Sequence, residues 1–169
     1  RDVAGYEVVT AMDKTCHGIP LWGSITNSVD FTYETVQTIC NGKALPAGVA
    51  MMFVNGPVEP TFVVSSLPER NITNNRAIVT KSDKAVLREV NDLPILEYLA
   101  NIGLEITKEN ITSTPLMIYF DGATEPVALG FYTLYEDGSV LAGGALPVGT
   151  SFAVGSIDAE GIFESAEKG

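Results

Sequence analysis

Polar and apolar residues alternate with period two from Phe31 onward. Phe31, Tyr33, Thr35 and Gln37 fall on one side, and Thr32, Glu34, Val36, Thr38 and Cys40 on the other. Successive side chains of a strand leave opposite faces, so this stretch is expected to be extended. Asn41-Gly42 follows, a dipeptide suited to the tight turn of a hairpin. Val49 to Val54 (VAMMFV) is a continuous apolar run, as a central strand requires. Asn55-Gly56-Pro57 ends it, and Thr61 to Ser65 starts the next strand. Strand, turn, strand, turn, strand reads as an antiparallel meander.

Helical spacing recurs along the chain. Val3, Tyr6, Val9 and Met12 recur every three or four residues, which predicts a short amphipathic helix over 3–16 that stops at His17-Gly18. Ile19 to Gly23 then reads as a short buried strand. The clearest helix follows Asn91 or Asp92 as its cap, with Pro94 in the first turn, Ile95, Leu96, Leu99 and Ile102 as the apolar stripe, and Gly103 as the stop. A short second helix is expected near Lys108 to Ile111. Ile157 to Glu167 opens another helix, with Asp158 in its first turn.

Between these helices the pattern predicts further hairpins. Ala77 to Thr80 and Ala85 to Val90 flank a Lys81-Ser82-Asp83-Lys84 turn. Leu116 to Phe120 precedes Asp121-Gly122, and Leu129 to Tyr135 precedes Asp137-Gly138. Ser151 to Val154 is a final strand. The sum is about eight short strands, paired mainly antiparallel through short turns, with two or three flanking helices, hence an α+β fold.

Composition narrows the function. The chain has 169 residues, 46% hydrophobic and 18% charged, the balance of a globular protein. Its net charge of -11 disfavours nucleic acid and anionic membrane as partners, because both require cationic surface. No apolar run reaches the ~18 residues of a membrane-spanning helix. One His and two Cys leave little material for a metal site, and no cofactor is expected. Cys16 and Cys40 are expected to be reduced thiols rather than a disulfide framework. Asn71-Ile72-Thr73 and Asn110-Ile111-Thr112 match the glycosylation sequon, a short pattern that also arises by chance.

Candidate chemistry is sparse. Cys16-His17 places a nucleophile beside a base in sequence, but a working dyad needs the fold to bring the two side chains together. Trp22-Gly23-Ser24-Ile25 lacks the glycines of a nucleophile elbow. The loop it opens can still present backbone N–H groups with Ser24, Thr26 and Asn27 to a carboxylate or phosphate. Lys81, after Thr80, is a lone cation that could face an anionic ligand. The aspartates fall in turns and caps and match no calcium loop.

The order of these segments resembles the FIST sensory domain family. The resemblance is carried by Ile19-Pro20-Leu21-Trp22-Gly23-Ser24, Cys40-Asn41-Gly42, the apolar Gly48 to Val54, Val79-Thr80-Lys81, and the run from Val86 to Leu99 ending at Ile102-Gly103. It continues through Thr114-Pro115-Leu116, Asp137-Gly138-Ser139-Val140, Gly144 to Thr150, and Ile157 to Ala166. Each motif is only a set of glycines and turns; their collinearity over roughly residues 1–167 is what resembles the family. The arginine that the family often carries in its hairpin has no counterpart in Phe131-Tyr132-Thr133-Leu134. The acid before the second glycine is also missing at Pro147-Val148-Gly149. The resemblance implies that residues 1–169 form one fragment from the middle of such a sensor.

What the resemblance implies is a non-catalytic, small-molecule-binding sensory domain of a bacterial, cytoplasmic signalling protein. The ligand class would be an amino acid or small carboxylate, and the partner an attached or separate signalling output domain. The ligand contacts would come from Gly23, Ser24, Thr26, Asn27, Thr80 and Lys81. Two other classes stand beside it: a hydrolase using Cys16 or Ser24, and a protein-interaction module built on an exposed strand such as Thr61 to Ser65.

Overall fold

Residues 5–24, 36–46, 48–63, 65–120 and 125–168 are described by a computed structural model. The chain divides into two compact units, Arg1–Phe62 and Val63–Gly169.

In the first unit, helix α1 spans Gly5–Cys16. Its half-buried stripe is Val8, Met12 and Cys16, four residues apart, whereas Val9 is exposed. The helix ends as its sequence requires: His17 and Gly18 both take positive φ (49° and 84°), and Ile19 N donates to Cys16 O at 3.1 Å. Strands β1 (Thr38–Cys40) and β2 (Lys43–Leu45) form a hairpin. Asn41 and Gly42 at its tip both have positive φ, the geometry that matches strand twist across a two-residue turn.

The other apolar runs of this unit differ from expectation. Residues 19–23, 49–54 and 61–63 form no strand, and Trp22, Met52 and Phe53 are 90%, 87% and 77% exposed. Apolar content alone does not make a strand; a row of N–H and C=O groups needs a neighbouring row to pair with. Among the described residues of this unit, only the β1–β2 hairpin supplies such a ladder. The predicted strand at 31–35 and the loop residues 25–30 lie outside the described residues, as does the Asp121-Gly122 turn.

The second unit is built on an eight-stranded sheet. Its strands are β3 (Ala77–Asp83), β4 (Val86–Val90), β5 (Leu93–Pro94), β6 (Leu116–Ile118), β7 (Val127–Leu129), β8 (Phe131–Leu134), β9 (Val140–Ala142) and β10 (Ser151–Val154). The order is β7-β6-β10-β3-β4-β9-β8, with β5 paired to β4, and every pairing is antiparallel. Strands β7 and β8 stand at opposite ends of that order, yet only Gly130 separates them in sequence. One bent strand therefore serves both edges, and the sheet closes almost into a barrel. The ladder runs on through the corner: Gly143 N donates to Gly130 O at 2.9 Å. The α+β class with antiparallel pairing is what the hydrophobic pattern predicted.

The barrel interior follows from the alternation within each strand. Ala77 and Val79, Leu116 and Ile118, Val140 and Ala142, and Phe152 and Val154 are buried pairs two residues apart. Leu87 and Phe131 complete the ring of inward side chains. Helix α2 (Ile95–Asn101) adds Ile95, Tyr98 and Leu99 to the same core, with the Tyr98 ring edge-on to Phe152 at 6.4 Å. Asn91 and Asp92 do not cap this helix. Both sit at positive φ and turn the chain from β4 into β5, so Pro94 occupies the cap position. Gly103 (φ 84°) stops the helix as expected. The second short helix is one turn of 3-10 helix at Ile111–Ser113.

Met117 and Ala153 are also fully buried, although they lie out of phase with the interior residues. Leu67, in the segment before β3, comes close to Met117 beside Gly155. Beside Gly155, a Cβ would come within 3.0 Å of Met117 Sδ and 3.1 Å of Leu67 Cδ1. Helix α3 (Ala159–Lys168) docks on that same segment. Asp158 caps it, accepting from Gly161 N at 2.6 Å. Asn71 Nδ2 donates to Asp158 Oδ2 (2.7 Å) and Ser156 O (3.0 Å), Ser165 Oγ donates to Ser66 O (2.7 Å), and Arg70 pairs with Glu164. Asn71 is therefore buried and its amide nitrogen is already engaged, so the first sequon is structural in the folded chain.

Candidate functional site

The structure divides the residues singled out in the sequence. Gly23 and Ser24 are exposed in the first unit; Thr26 and Asn27 lie outside the described residues. Thr80 and Lys81 belong to β3 of the second unit. Each of the latter two has a partner on an adjacent element. Thr80 Oγ1 accepts from Asp92 N at 3.0 Å, which pins the turn after β4. Lys81 Nζ lies 2.7 Å from Glu89 Oε1, a cross-strand pair. Cys16 and Cys40 are both free thiols, half-buried in the first unit. His17, after Cys16, is exposed.

Each unit carries a surface hollow among its described residues. In the first unit a shallow hollow of about 550 Å³ is walled by Val9, Ile19, Pro20, Leu21 and Phe62, with Thr10 and Asp13 as polar groups. In the second unit a cleft of about 480 Å³ is lined by Val86, Arg88, Tyr135, Glu136, Asp137 and Ser139. Both hollows are open surface depressions rather than enclosed pockets.

The second cleft is assembled by strand alternation and one turn. Leu87 points into the core, so Val86 and Arg88 leave β4 on the opposite side. Strand β8 runs out at Leu134, and Tyr135 begins the turn into β9. Tyr135 N donates to Ser139 O at 2.9 Å, Gly138 N donates to Tyr135 O at 3.1 Å, and Gly138 holds φ at 79°. The turn aims Asp137 back at Ser139 and Arg88. Asp137 Oδ1 accepts from Ser139 Oγ (2.5 Å) and Ser139 N (3.0 Å), and Oδ2 accepts from Arg88 Nη1 (2.8 Å). The Ser139 hydroxyl and amide, then the Arg88 guanidinium, lower the Asp137 carboxyl to a pKa of about 2.

Chemically, this cleft offers charges of both signs against an apolar wall. Arg88 uses one face of its fork on Asp137 and keeps other N–H donors toward solvent. Glu136 is an exposed carboxylate beside it, and Tyr135, 41% exposed, supplies a ring surface. A carboxylate on Arg88 and an ammonium on Glu136 are the complementary ligand groups. Sequence reasoning read Asp137 only as a turn residue, and passed over Arg88. The available signal was the exposed cation at the middle of β4, beside Glu89. What connects it to the Asp137 turn is the β4-β9-β8 order, which no local pattern encodes.

No group of three or more His, Cys, Asp or Glu able to hold a metal ion occurs among the described residues. No helix among them is long and apolar enough to cross a membrane. Comparison with family models, with curated proteins and with solved structures finds no match to this chain.

Proposed function

We propose that this chain is a non-catalytic, small-molecule-binding sensory domain of a bacterial signal-transduction protein, and that the second unit binds a zwitterion of the amino-acid class in the Arg88 cleft. One observation carries the reading: the Arg88 guanidinium, held by Asp137, shares an open hollow of about 480 Å³ with the Glu136 carboxylate and Tyr135. The collinear resemblance to the FIST family supports the same ligand class. The electrostatics favour binding over proton transfer. Asp137 holds its carboxylate at a pKa of about 2, so near neutral pH it is an acceptor and no general acid. Ligand binding would then bias an equilibrium between two states and pass that bias to an output domain.

The test is a thermal-shift and calorimetric titration of the whole chain with amino acids, their decarboxylated amines and their deaminated acids. A ligand at 100-fold over its Kd adds about 2.7 kcal/mol if it binds only the folded state. The expected result is a shift with zwitterions that the singly charged analogues do not reproduce, lost in Arg88→Gln and kept in Lys81→Gln. A shift that survives Arg88→Gln, or no shift with any zwitterion, overturns this assignment.

A further inference from the structure

Helix α3 is held to the barrel in a different way from the chain that leads into it. Up to Ile157 the backbone itself is tied. Gly155 N donates to Pro115 O (2.8 Å), Ser156 N to Asn71 O (2.8 Å) and Ile157 N to Ser113 O (3.0 Å). From Asp158 onward, among the described residues, the bonds to the barrel run through side chains. Asn71 Nδ2 donates to Asp158 Oδ2, Ser65 Oγ to Ser165 O, and Ser165 Oγ to Ser66 O, while Arg70 pairs with both Glu160 and Glu164. Hydrophobic burial adds little to them, because Gly161 is the one residue of α3 that is buried.

The docked state also carries a cost. Ser66 Oγ and Asn71 Oδ1 are buried without a hydrogen-bond partner among the described residues. Both residues contact the α3 segment, Ser66 through Ser165 and Asn71 through Asp158. A buried polar atom left unpaired has lost its hydration with nothing in return, and undocking would restore it. The ion pairs offset only part of this, since the Arg70 and Glu160 side chains are 46% and 87% exposed. Once free, a helix of ten residues is too short to persist in water. We infer that residues 158–168 form a releasable strap: they undock and unwind in one step, hinged at Ile157-Asp158, while the barrel stays folded, and their release bares the segment 65–71. Arg70 is the clasp, one guanidinium engaging two carboxylates four residues apart. Ionic strength therefore loosens the strap without loosening the barrel.

The test is native-state amide exchange of the whole chain, read residue by residue by NMR at low denaturant. The amides of 161–168 are expected to exchange through one shared opening, well before those of Val79, Leu116 and Phe152. Raising NaCl from about 0.05 M to about 1 M should speed the first group and leave the second unchanged. Arg70→Gln should speed the 161–168 amides about three- to fivefold at low salt and abolish their response to NaCl. Ser66→Ala works in the other direction. It removes the unpartnered hydroxyl but keeps the carbonyl that Ser165 uses, so the same amides should slow. Exchange of 161–168 only together with the barrel core overturns the inference, as does fraying in sequence from Lys168 inward with no shared opening. Rates in 161–168 that ignore both NaCl and Arg70→Gln, or that rise in Ser66→Ala, overturn it as well.

Discussion

Asp137 holds the tightest polar cluster of the barrel rim, and its behaviour with pH follows from its partners. Its carboxyl titrates near 2 in the folded chain, below its ordinary 3.8, first because of the Ser139 hydroxyl and amide and then because of Arg88. A carboxyl with a depressed folded pKa stabilises above its unfolded pKa and loses that contribution as pH falls through the folded value. The window is therefore between about pH 4 and pH 2. A carbon-detected NMR titration should place the Asp137 midpoint near 2 and move it upward in Ser139→Ala; Asp137→Asn should flatten the stability profile across that window. Tyr98 poses the opposite case. Its hydroxyl is buried without a hydrogen-bond partner among the described residues, and burial raises its pKa. Removing an unpaired buried hydroxyl relieves a desolvation cost of about 1–3 kcal/mol. Tyr98→Phe is expected to melt at the same temperature or higher, and a clear drop would mean that the hydroxyl has a partner.

Elements and turns set by neighbours in sequence were legible in advance; which distant strands pair was not. The Asn41-Gly42 hairpin, the Asp137-Gly138 turn, the Gly103 stop and the strand at Ser151–Val154 all appear where local chemistry put them. Asn91-Asp92 was misread because a cap and a tight turn use the same residue types, and only the pairing of β5 with β4 separates them. No strand forms at 49–54 or 61–63, where no described segment pairs with them despite their strand propensity. At the candidate site, Lys81 and Thr80 were visible in sequence but are engaged by Glu89 and Asp92, while Arg88 met the Asp137 turn only through strand order. Helix α3 shows how packing overrides propensity. Alanine favours a helix over glycine by about 1 kcal/mol, yet a Cβ at Gly161 would lie 2.9 Å from Asn71 Oδ1. Gly161→Ala should therefore lower stability by about 1–2 kcal/mol in chemical denaturation, the clash outweighing the gain in propensity. Gly130 is the contrasting glycine. It has no positive φ, and the nearest atom to an added Cβ is Tyr132 Cε1 at 3.9 Å. Gly130→Ala is expected to leave the melting temperature unchanged or slightly raised, so the corner is set by pairing on both sides and not by a missing side chain.

On the scale of the molecule, the buried core among the described residues belongs to one unit. Every described core residue lies between Ala77 and Val154, inside Val63–Gly169. Residues 63–169 alone should give a cooperative melt close to that of the whole chain, and amide exchange in the whole chain should be slowest from 77 to 154. A non-cooperative melt of the shorter chain would show that the barrel needs the first unit. The closed sheet also imposes an order of events on the folding chain. Most of its pairings join segments near in sequence, such as β3 with β4 and β8 with β9. The pairing of β10 with β3 sets Phe152 against Ala77, and so must wait until the whole intervening stretch has been drawn together. That junction is expected to form last, after the rate-limiting step of folding. Substitutions along it would then change how fast the protein falls apart far more than how fast it assembles.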